Sequence, residues 1–142
     1  MGRYVVREDV AVADCALEIE GRDLGDLFET AARAVAELMV DPGTVATAIR
    51  REIALAATAL DLLFFDWIAE LIFLKDSEQL ILTETSVAVE AGPAWRLVAR
   101  VAGGTIDRER TTLRADAKAP TFHRFGVEPA PEGWRARVVI DI

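Results

Sequence analysis

Two aspartates near opposite ends of the sequence, Asp14 and Asp141, lie on the polar side of segments that alternate between apolar and polar residues. In the second segment the even positions are apolar, so Asp141 points to the other face, next to the carboxylate of Ile142. If the two segments lay side by side, these carboxylates and nearby backbone oxygens would form the all-oxygen site that Ca²⁺ or Mg²⁺ prefers. The alternative is a pair of solvated aspartates, which spacing alone favours because exposed carboxylates are the norm.

Lys118 and His123 are the other candidates for chemistry. Lys118 lies between alanines and can serve as a salt-bridge partner of an acidic cluster, as a phosphate contact or as a solvated edge-strand lysine. His123 is the sole histidine, so a Ser-His-Asp or Cys-His device would have to use it, and no neighbouring residue supports that role. A structural role for His123 competes with titration near neutral pH and with metal binding. The sequence contains neither a phosphate-binding glycine loop nor the Cys/His spacing of a zinc site.

The composition limits the classes of function. The 142 residues include 16 Lys plus Arg and 24 Asp plus Glu, which gives a formal net charge of −8 with His neutral. This length predicts one domain over residues 1–142. The negative charge argues against a protein that grips nucleic acid through its own phosphate contacts, because such domains are usually basic. The same charge suits a partner with a basic surface or a bound cation.

Cysteine usage and hydropathy bear on the compartment. Cys15 is the only cysteine, which excludes an internal disulfide and fits a reducing cytosol. The N-terminal residues alternate between charged and apolar types and lack the continuous apolar run of a signal peptide. The most apolar stretch, residues 60–74, carries three acidic residues and is too short for a membrane span. We therefore expect a cytoplasmic protein.

Hydrophobic periodicity predicts two amphipathic helices. Asp23 is the predicted N-cap of the first, which ends at the Asp41-Pro42-Gly43 breaker. The spacing of Thr58 and Asp61 predicts a capping box for the second helix, which Lys75-Asp76-Ser77 closes. This second helix has a wide apolar face, so we expect it to be the more deeply buried of the two.

Alternating segments predict about seven strands, and the glycines at 103 and 104 are predicted to open a polar loop. The predicted strands cover residues 11–20, 49–57, 80–89, 95–101, 111–117, 125–127 and 134–142. Three tryptophans at apolar-periodic positions are assigned to the core: Trp67, Trp95 and Trp134. The predicted class is α+β, a single compact domain in which two helices pack on an antiparallel or mixed β-sheet.

Six segments of the sequence form a recognisable series: Ala11-Val12-Ala13-Asp14 with Gly21, Phe65-Asp66-Trp67 through Glu70-Leu71, Lys75-Asp76-Ser77-Glu78, Gly103 with Asp107 and Arg110, Lys118-Ala119-Pro120-Thr121-Phe122-His123, and Val138-Val139-Ile140-Asp141-Ile142. Taken together and in order, they resemble the archease family over nearly the whole chain. The last two segments are the specific matches, whereas the helical match alone would be weak.

The resemblance implies a compact α+β fold and a role as a non-catalytic accessory protein of RtcB-type RNA ligases. Such a protein promotes guanylylation of the ligase histidine and sustains multiple turnover in tRNA splicing or RNA repair. The resemblance also implies a divalent cation, Ca²⁺ with Mg²⁺ or Mn²⁺ as alternatives, held by Asp14, Asp141 and Ile142. Lys118 matches a further functional position of the family.

The sequence departs from the family pattern beside Asp14. The family's His and Thr are replaced by Ala11 and Val12, its later His by Thr111, and an acidic residue by Gly104. These replacements leave two interpretations open, a weaker cation site or a branch with another partner. The alternative function is a binding or chaperone-like module for another RNA-processing or RNA-modifying protein. A free-standing metal-dependent hydrolase would need a general base, and Ala11 supplies none.

Overall fold

The computed structural model describes residues 2–7 and 14–142, so Ala11, Val12 and the predicted start of the first strand lie outside the described residues. Two sheets form, with strand orders β1-β2-β7-β6 and β3-β5-β4, and their strand pairs are antiparallel in the part of the chain described. The elements are β1 Arg3–Arg7, β2 Asp14–Gly21, α1 Leu24–Met39, a 3₁₀ turn Pro42–Thr44, β3 Ile49–Ala57, α2 Leu60–Glu78, β4 Leu80–Glu90, β5 Trp95–Thr105, β6 Ala119–Ala130 and β7 Gly133–Asp141. The predicted α+β arrangement of two helices on antiparallel sheet is confirmed.

The core lies where the two helices meet both sheets. α1 packs against β2 and β7 of the first sheet and against β4 of the second, while α2 packs against α1, β6 and the second sheet. Phe28 of α1 and Phe64 of α2 meet edge to face at 5.1 Å between ring centroids, and both are fully buried. Trp67 is also fully buried, whereas Trp95 and Trp134 are half-buried and pack against the core. The core assignment is therefore confirmed for Trp67, whereas Trp95 and Trp134 lie at the border of the core.

The two helices begin differently. Asp23 caps α1 as predicted, because its side chain accepts a hydrogen bond of 2.8 Å from the Asp26 amide. The predicted capping box of α2 is wrong: Ala59 occupies the N-cap position and no side chain bonds there. Asp61 instead accepts from the Leu62 amide next to it. In the described residues no helix has the length and apolar character to cross a bilayer.

The expectation that α2 is the more deeply buried helix is also wrong. Ten of the 16 residues of α1 are buried, compared with eight of the 19 residues of α2. Leu62 and Phe73 on α2 are exposed although both are apolar. The sequence is apolar on two sides of this helix: one side packs in the core, and the other leaves Leu62 and Phe73 exposed.

Residues 106–118 form a loop, and the strand predicted at 111–117 is absent from this segment. One isolated bridge joins Leu113 to Val40, and the Arg114 amide donates to the Met39 carbonyl at 2.8 Å. The loop begins later than predicted, because β5 continues through Gly103 and Gly104 to Thr105. These glycines allow close approach of neighbouring backbone: a Cβ on Gly104 would lie 1.8 Å from the Ala46 carbonyl oxygen.

Gly104→Ala should lower the free energy of unfolding by about 1–3 kcal/mol, because the new methyl group forces the backbone of the Ala46 segment away from β5. Chemical denaturation of the variant measures this loss. Gly126→Ala is the matched control, since nothing lies within 4 Å of a Cβ built there. Equal stability of the two variants would contradict the close-approach account.

Candidate functional site

β2 and β7 bring Asp14 and Asp141 together. The two residues are Cα partners in the antiparallel pair, and their neighbours Cys15 and Ile140 are buried in the core. Side chains directly opposite on one face of such a pair have Cβ atoms about 4.5–5.5 Å apart. Both carboxylates therefore lie on the outer face at one end of the four-stranded sheet, where each is half-buried. The two segments are neighbours, as the cation hypothesis requires.

Lys118 and Ile142 lie at the same end of this sheet. The Lys118 amide donates to the Asp141 carbonyl at 2.8 Å, and the next residue, Ala119, pairs with Asp141 at the start of β6. Ile142 follows Asp141 directly and packs partly buried against the core. The four residues predicted as a site, Asp14, Lys118, Asp141 and Ile142, thus share one region, which we call the acidic end.

The donor chemistry of the acidic end fits a hard cation. The side chains of Asp14 and Asp141 form no hydrogen bond or ion pair with other described residues, so both carboxylates are available as ligands. Ca²⁺ takes six to eight oxygen ligands, of which two carboxylates supply up to four. Within residues 2–7 and 14–142 no three His, Cys, Asp or Glu side chains are grouped to hold a metal. Main-chain oxygens, including those of Ile142, and water would have to complete the shell.

Lys75 bonds to the loop that leads into the acidic end. Its ammonium group, buried at the end of α2, donates to Asp116 Oδ1 at 2.6 Å and to the Ala117 carbonyl at 2.8 Å, and it pairs with Asp76 at 2.7 Å. Burial lowers the pKa of Lys75, but the bonds to Asp116 and Asp76 outweigh burial and raise it, so the group stays charged. Lys75 therefore fixes the backbone directly before Lys118.

The sequence places Lys75 at the close of the second helix and in the family-matched segment Lys75-Asp76-Ser77-Glu78, and no partner for its charge was predicted. A signal was present, because Lys75 follows Leu71 and Ile72 at spacings of four and three on the apolar stripe of α2. A lysine at such a position is buried only when its charge has partners. Asp116, in the loop opposite, is that partner, and the Lys75 bond in turn lowers the pKa of the Asp116 carboxyl.

The other candidate residues lie away from the acidic end or play a different part. His123 is exposed in an insertion of β6 between Thr121 and Gly126, where the register with β7 breaks. The glycine segment that resembles the family consists of Gly103, Asp107 and Arg110. Gly103 is buried within β5, whereas Arg110 and Asp107 form an exposed ion pair at 4.0 Å in the following loop.

Lys75→Met should make the Lys118 amide exchange with solvent about tenfold faster. A hydrogen bond from a charged donor contributes about 1.5–3 kcal/mol, and ~1.4 kcal/mol corresponds to a factor of ten. The pKa of Asp116 should rise toward its ordinary value, because it loses the Lys75 hydrogen bond. Hydrogen exchange and a carboxyl titration by NMR measure both effects. The control Arg51→Met breaks the exposed ion pair with Glu78 on the same helix and should leave the Lys118 amide unchanged.

A family model and curated relatives both match most of this sequence. The family model described as Archease protein family (MTH1598/TM1083) matches residues 7–142. "Protein archease" of Archaeoglobus fulgidus is 34% identical over 132 residues, which cover 92% of this chain and 93% of that protein. "Protein archease" of Methanosarcina barkeri is 27% identical over 132 residues, covering 92% of this chain and 90% of that protein.

Two solved structures share the architecture. The solution structure of Methanobacterium thermoautotrophicum protein 1598 superposes with a TM-score of 0.77 at 28% identity, covering 99% of this chain and 98% of that one. The crystal structure of an archease, described as a possible chaperone, from Thermotoga maritima gives a TM-score of 0.64 at 21% identity and covers 93% of each chain. The family model covers nearly the whole sequence, and the resemblance drawn from its motifs is confirmed: the chain belongs to the archease family.

Proposed function

We propose that the protein is a non-catalytic accessory protein of an RtcB-type RNA ligase, promoting ligase guanylylation and multiple turnover in tRNA splicing or RNA repair. The observation that carries the proposal is the pairing of Asp14 with Asp141 at the acidic end, where neither carboxylate has a partner among the described residues. Membership of the archease family supports it. The description of the Thermotoga maritima relative as a possible chaperone also supports action on another protein.

The acidic end would act by contact with the ligase. Asp14 and Asp141 would hold the cation with main-chain oxygens of Ile142, and Lys118 would lie beside them with its charged side chain exposed. A divalent cation held there supplies positive charge that can orient nucleotide phosphate oxygens. The net charge of −8 favours contact with a basic, RNA-binding surface through complementary potentials.

A ligation assay with the RtcB-type ligase of the same organism tests the proposal under multiple-turnover conditions. The wild-type protein should raise turnover, whereas Asp14→Asn and Asp141→Asn should each remove most of that stimulation. Glu90→Gln, which changes an exposed carboxylate in the other sheet, should stimulate like the wild type. The proposal is wrong if the wild type leaves turnover unchanged, or if both aspartate variants stimulate fully.

Ca²⁺ should stabilise the wild-type protein measurably. At a free concentration of about 100 times Kd, binding adds ~2.7 kcal/mol to the free energy of unfolding, which corresponds to a rise in Tm of about 5–10 °C. Removing the ion with a chelator should reverse the rise, and Asp14→Asn should show little of it. Parallel titrations with Mg²⁺ and Mn²⁺ identify the preferred cation. An equal rise in Asp14→Asn and in the wild type would place the ion elsewhere.

The replacement of the family's His and Thr by Ala11 and Val12 favours a second candidate function. On this alternative the protein is a binding or chaperone-like module for another RNA-processing or RNA-modifying protein. Affinity capture from the native organism separates the two candidates. Recovery of an RNA methyltransferase without a ligase would favour the second, and recovery of the ligase would favour the first.

A further inference from the structure

The outer side of α2 carries an apolar stripe. Leu62, Phe65, Ala69 and Phe73 follow one another at spacings of three and four, so they lie along one face of the helix. Phe73 is 60% exposed and Leu62 is 38% exposed, whereas the opposite face of the helix is packed in the core. A helix that is apolar nearly all round is normally covered on both sides. The described part of β6 contacts this outer side at Phe65, and Leu62 and Phe73 remain exposed.

The insertion in β6 enlarges this stripe. Phe122 stacks on Phe65 with ring centroids 4.0 Å apart and planes within 4° of parallel, yet 60% of Phe122 remains exposed. Phe125 supports both rings from the edge, at 5.5 Å from Phe65 and 5.8 Å from Phe122. The exposed ring is therefore held in a fixed position by its neighbours. The α2–β6 surface is defined by these residues: Leu62, Phe65, Ala69, Phe73 and Phe122.

The carboxylates on the solvent side of α2 give the edge of the surface along the helix a negative charge, whereas the β6 insertion carries one exposed cation, Arg124. Asp61, Asp66 and Glu70 lie on the solvent side of α2, and none of the three forms an ion pair with a described cation. The basic residue of α2, Lys75, is buried and points to Asp116 instead. Fixed aromatic rings beside unpaired carboxylates favour a partner that is apolar in the centre and positively charged at the edges.

We propose that the α2–β6 surface docks a basic amphipathic helix of a protein partner, with apolar side chains against Phe73 and Phe122 and lysines or arginines against Asp66 and Glu70. This is the helix-against-apolar-face mode of recognition. The surface lies on elements other than the aspartate pair of the acidic end. The inference therefore stands whether or not the partner is an RNA ligase.

The same carboxylates disfavour the other occupants. Nucleic acid and anionic lipid surfaces both carry negative charge, so Asp66 and Glu70 would repel them. A second copy of this chain would bring the same acidic edge against itself, and facing like charges oppose association. A positively charged amphipathic helix would place its apolar face against the apolar stripe and its cations against the acidic edge at the same time.

Titration with a synthetic peptide tests the docking surface. The probe is a helix of about 18 residues with leucines on one face and lysines on the other, followed by calorimetry and by mapping of amide shifts in the full-length protein. Shifts should be confined to residues 61–76 and 121–125. The double variant Phe73→Ser/Phe122→Ser should weaken binding about tenfold or more, and Asp66→Asn/Glu70→Gln should weaken it and reduce its salt dependence.

Matched variants on the other sheet distinguish docking from general attraction to an acidic protein. Val98→Ser and Glu52→Gln/Glu90→Gln change exposed residues of the three-stranded sheet and should leave the affinity unchanged. A peptide with glutamates in place of the lysines should bind at least tenfold more weakly. The proposal is overturned if the lysine peptide does not bind, if its shifts centre on the acidic end, if the phenylalanine variant binds normally, or if vesicles containing phosphatidylserine bind the protein through Phe73.

Discussion

Trp67→Ala should lower the free energy of unfolding by about 3–5 kcal/mol, which is the usual cost of truncating a fully buried tryptophan. Trp67 has no exposed surface and packs where α2 meets α1. Its indole Nε1 donates to the Phe28 carbonyl at 2.9 Å, so the side chain also joins the two helices by a hydrogen bond. Denaturation by urea, followed by far-UV circular dichroism, measures the loss of stability.

Two further variants separate the packing of Trp67 from its hydrogen bond. Trp67→Phe retains much of the aromatic volume but removes the donor, and its hydrogen-bond component should be about 0.5–1.5 kcal/mol. Trp95→Ala truncates a half-buried tryptophan on β5 and should cost less than Trp67→Ala. If Trp67→Ala and Trp95→Ala unfold at the same urea concentration, the central position assigned to Trp67 is wrong.

Asp26→Asn should lower the free energy of unfolding by about 3 kcal/mol near pH 7. The Asp26 carboxylate accepts the backbone amides of Gly2 at 3.0 Å and of Arg22 at 2.9 Å, and so ties the start of β1 to the first turn of α1. Hydrogen bonds to a charged group contribute about 1.5–3 kcal/mol each, and an asparagine oxygen cannot replace both. Asp66→Asn, which alters an exposed carboxylate of α2, is the control and should change stability by less than ~0.5 kcal/mol.

The effect of Asp26→Asn should depend on pH. Burial raises the pKa of Asp26, but the hydrogen bonds from the Arg22 and Gly2 amides outweigh burial and lower it below the ordinary value of 3.8. The stability that the carboxylate contributes is therefore fully present above this ordinary value and is lost as pH falls through the lower folded-state pKa. The difference between wild type and variant should shrink on acidification. A difference that stays constant from pH 7 to about pH 2 would contradict the assignment.

The alternating and helical patterns predicted most of the fold because each element is buried on a regular face. Asp23 caps α1 as predicted, and β7 follows the predicted alternation except at Val139, which is buried like its neighbours Val138 and Ile140. The prediction of a strand at 111–117 is wrong because residues around Leu113 bond to Met39 and Val40 as a loop. An alternating sequence pattern does not distinguish such isolated contacts from the regular hydrogen bonds of a β-sheet. The burial of α2 was overestimated because apolar content alone does not show which face is covered.

The candidate site was predictable only in part. Each aspartate could be assigned to the polar face of its strand, but the register that pairs Asp14 with Asp141 depends on long-range topology. The family resemblance supplied that grouping, together with Lys118. The role of Lys75 was missed because two of its three partners, Asp116 and the Ala117 carbonyl, lie in a loop more than a helix length away in sequence.

The position of β7 between β2 and β6 determines when during folding the acidic end can form. β2 and β7 lie almost a full chain length apart, so closing the loop between them costs chain entropy before their pairing returns any stability. Until β7 inserts, one side of β2 lacks its ladder, and Asp14 has no opposing carboxylate. We therefore expect the Lys118 amide to be among the last protected in pulsed hydrogen exchange during refolding. A partner that recognises the paired aspartates responds only to molecules that have finished folding.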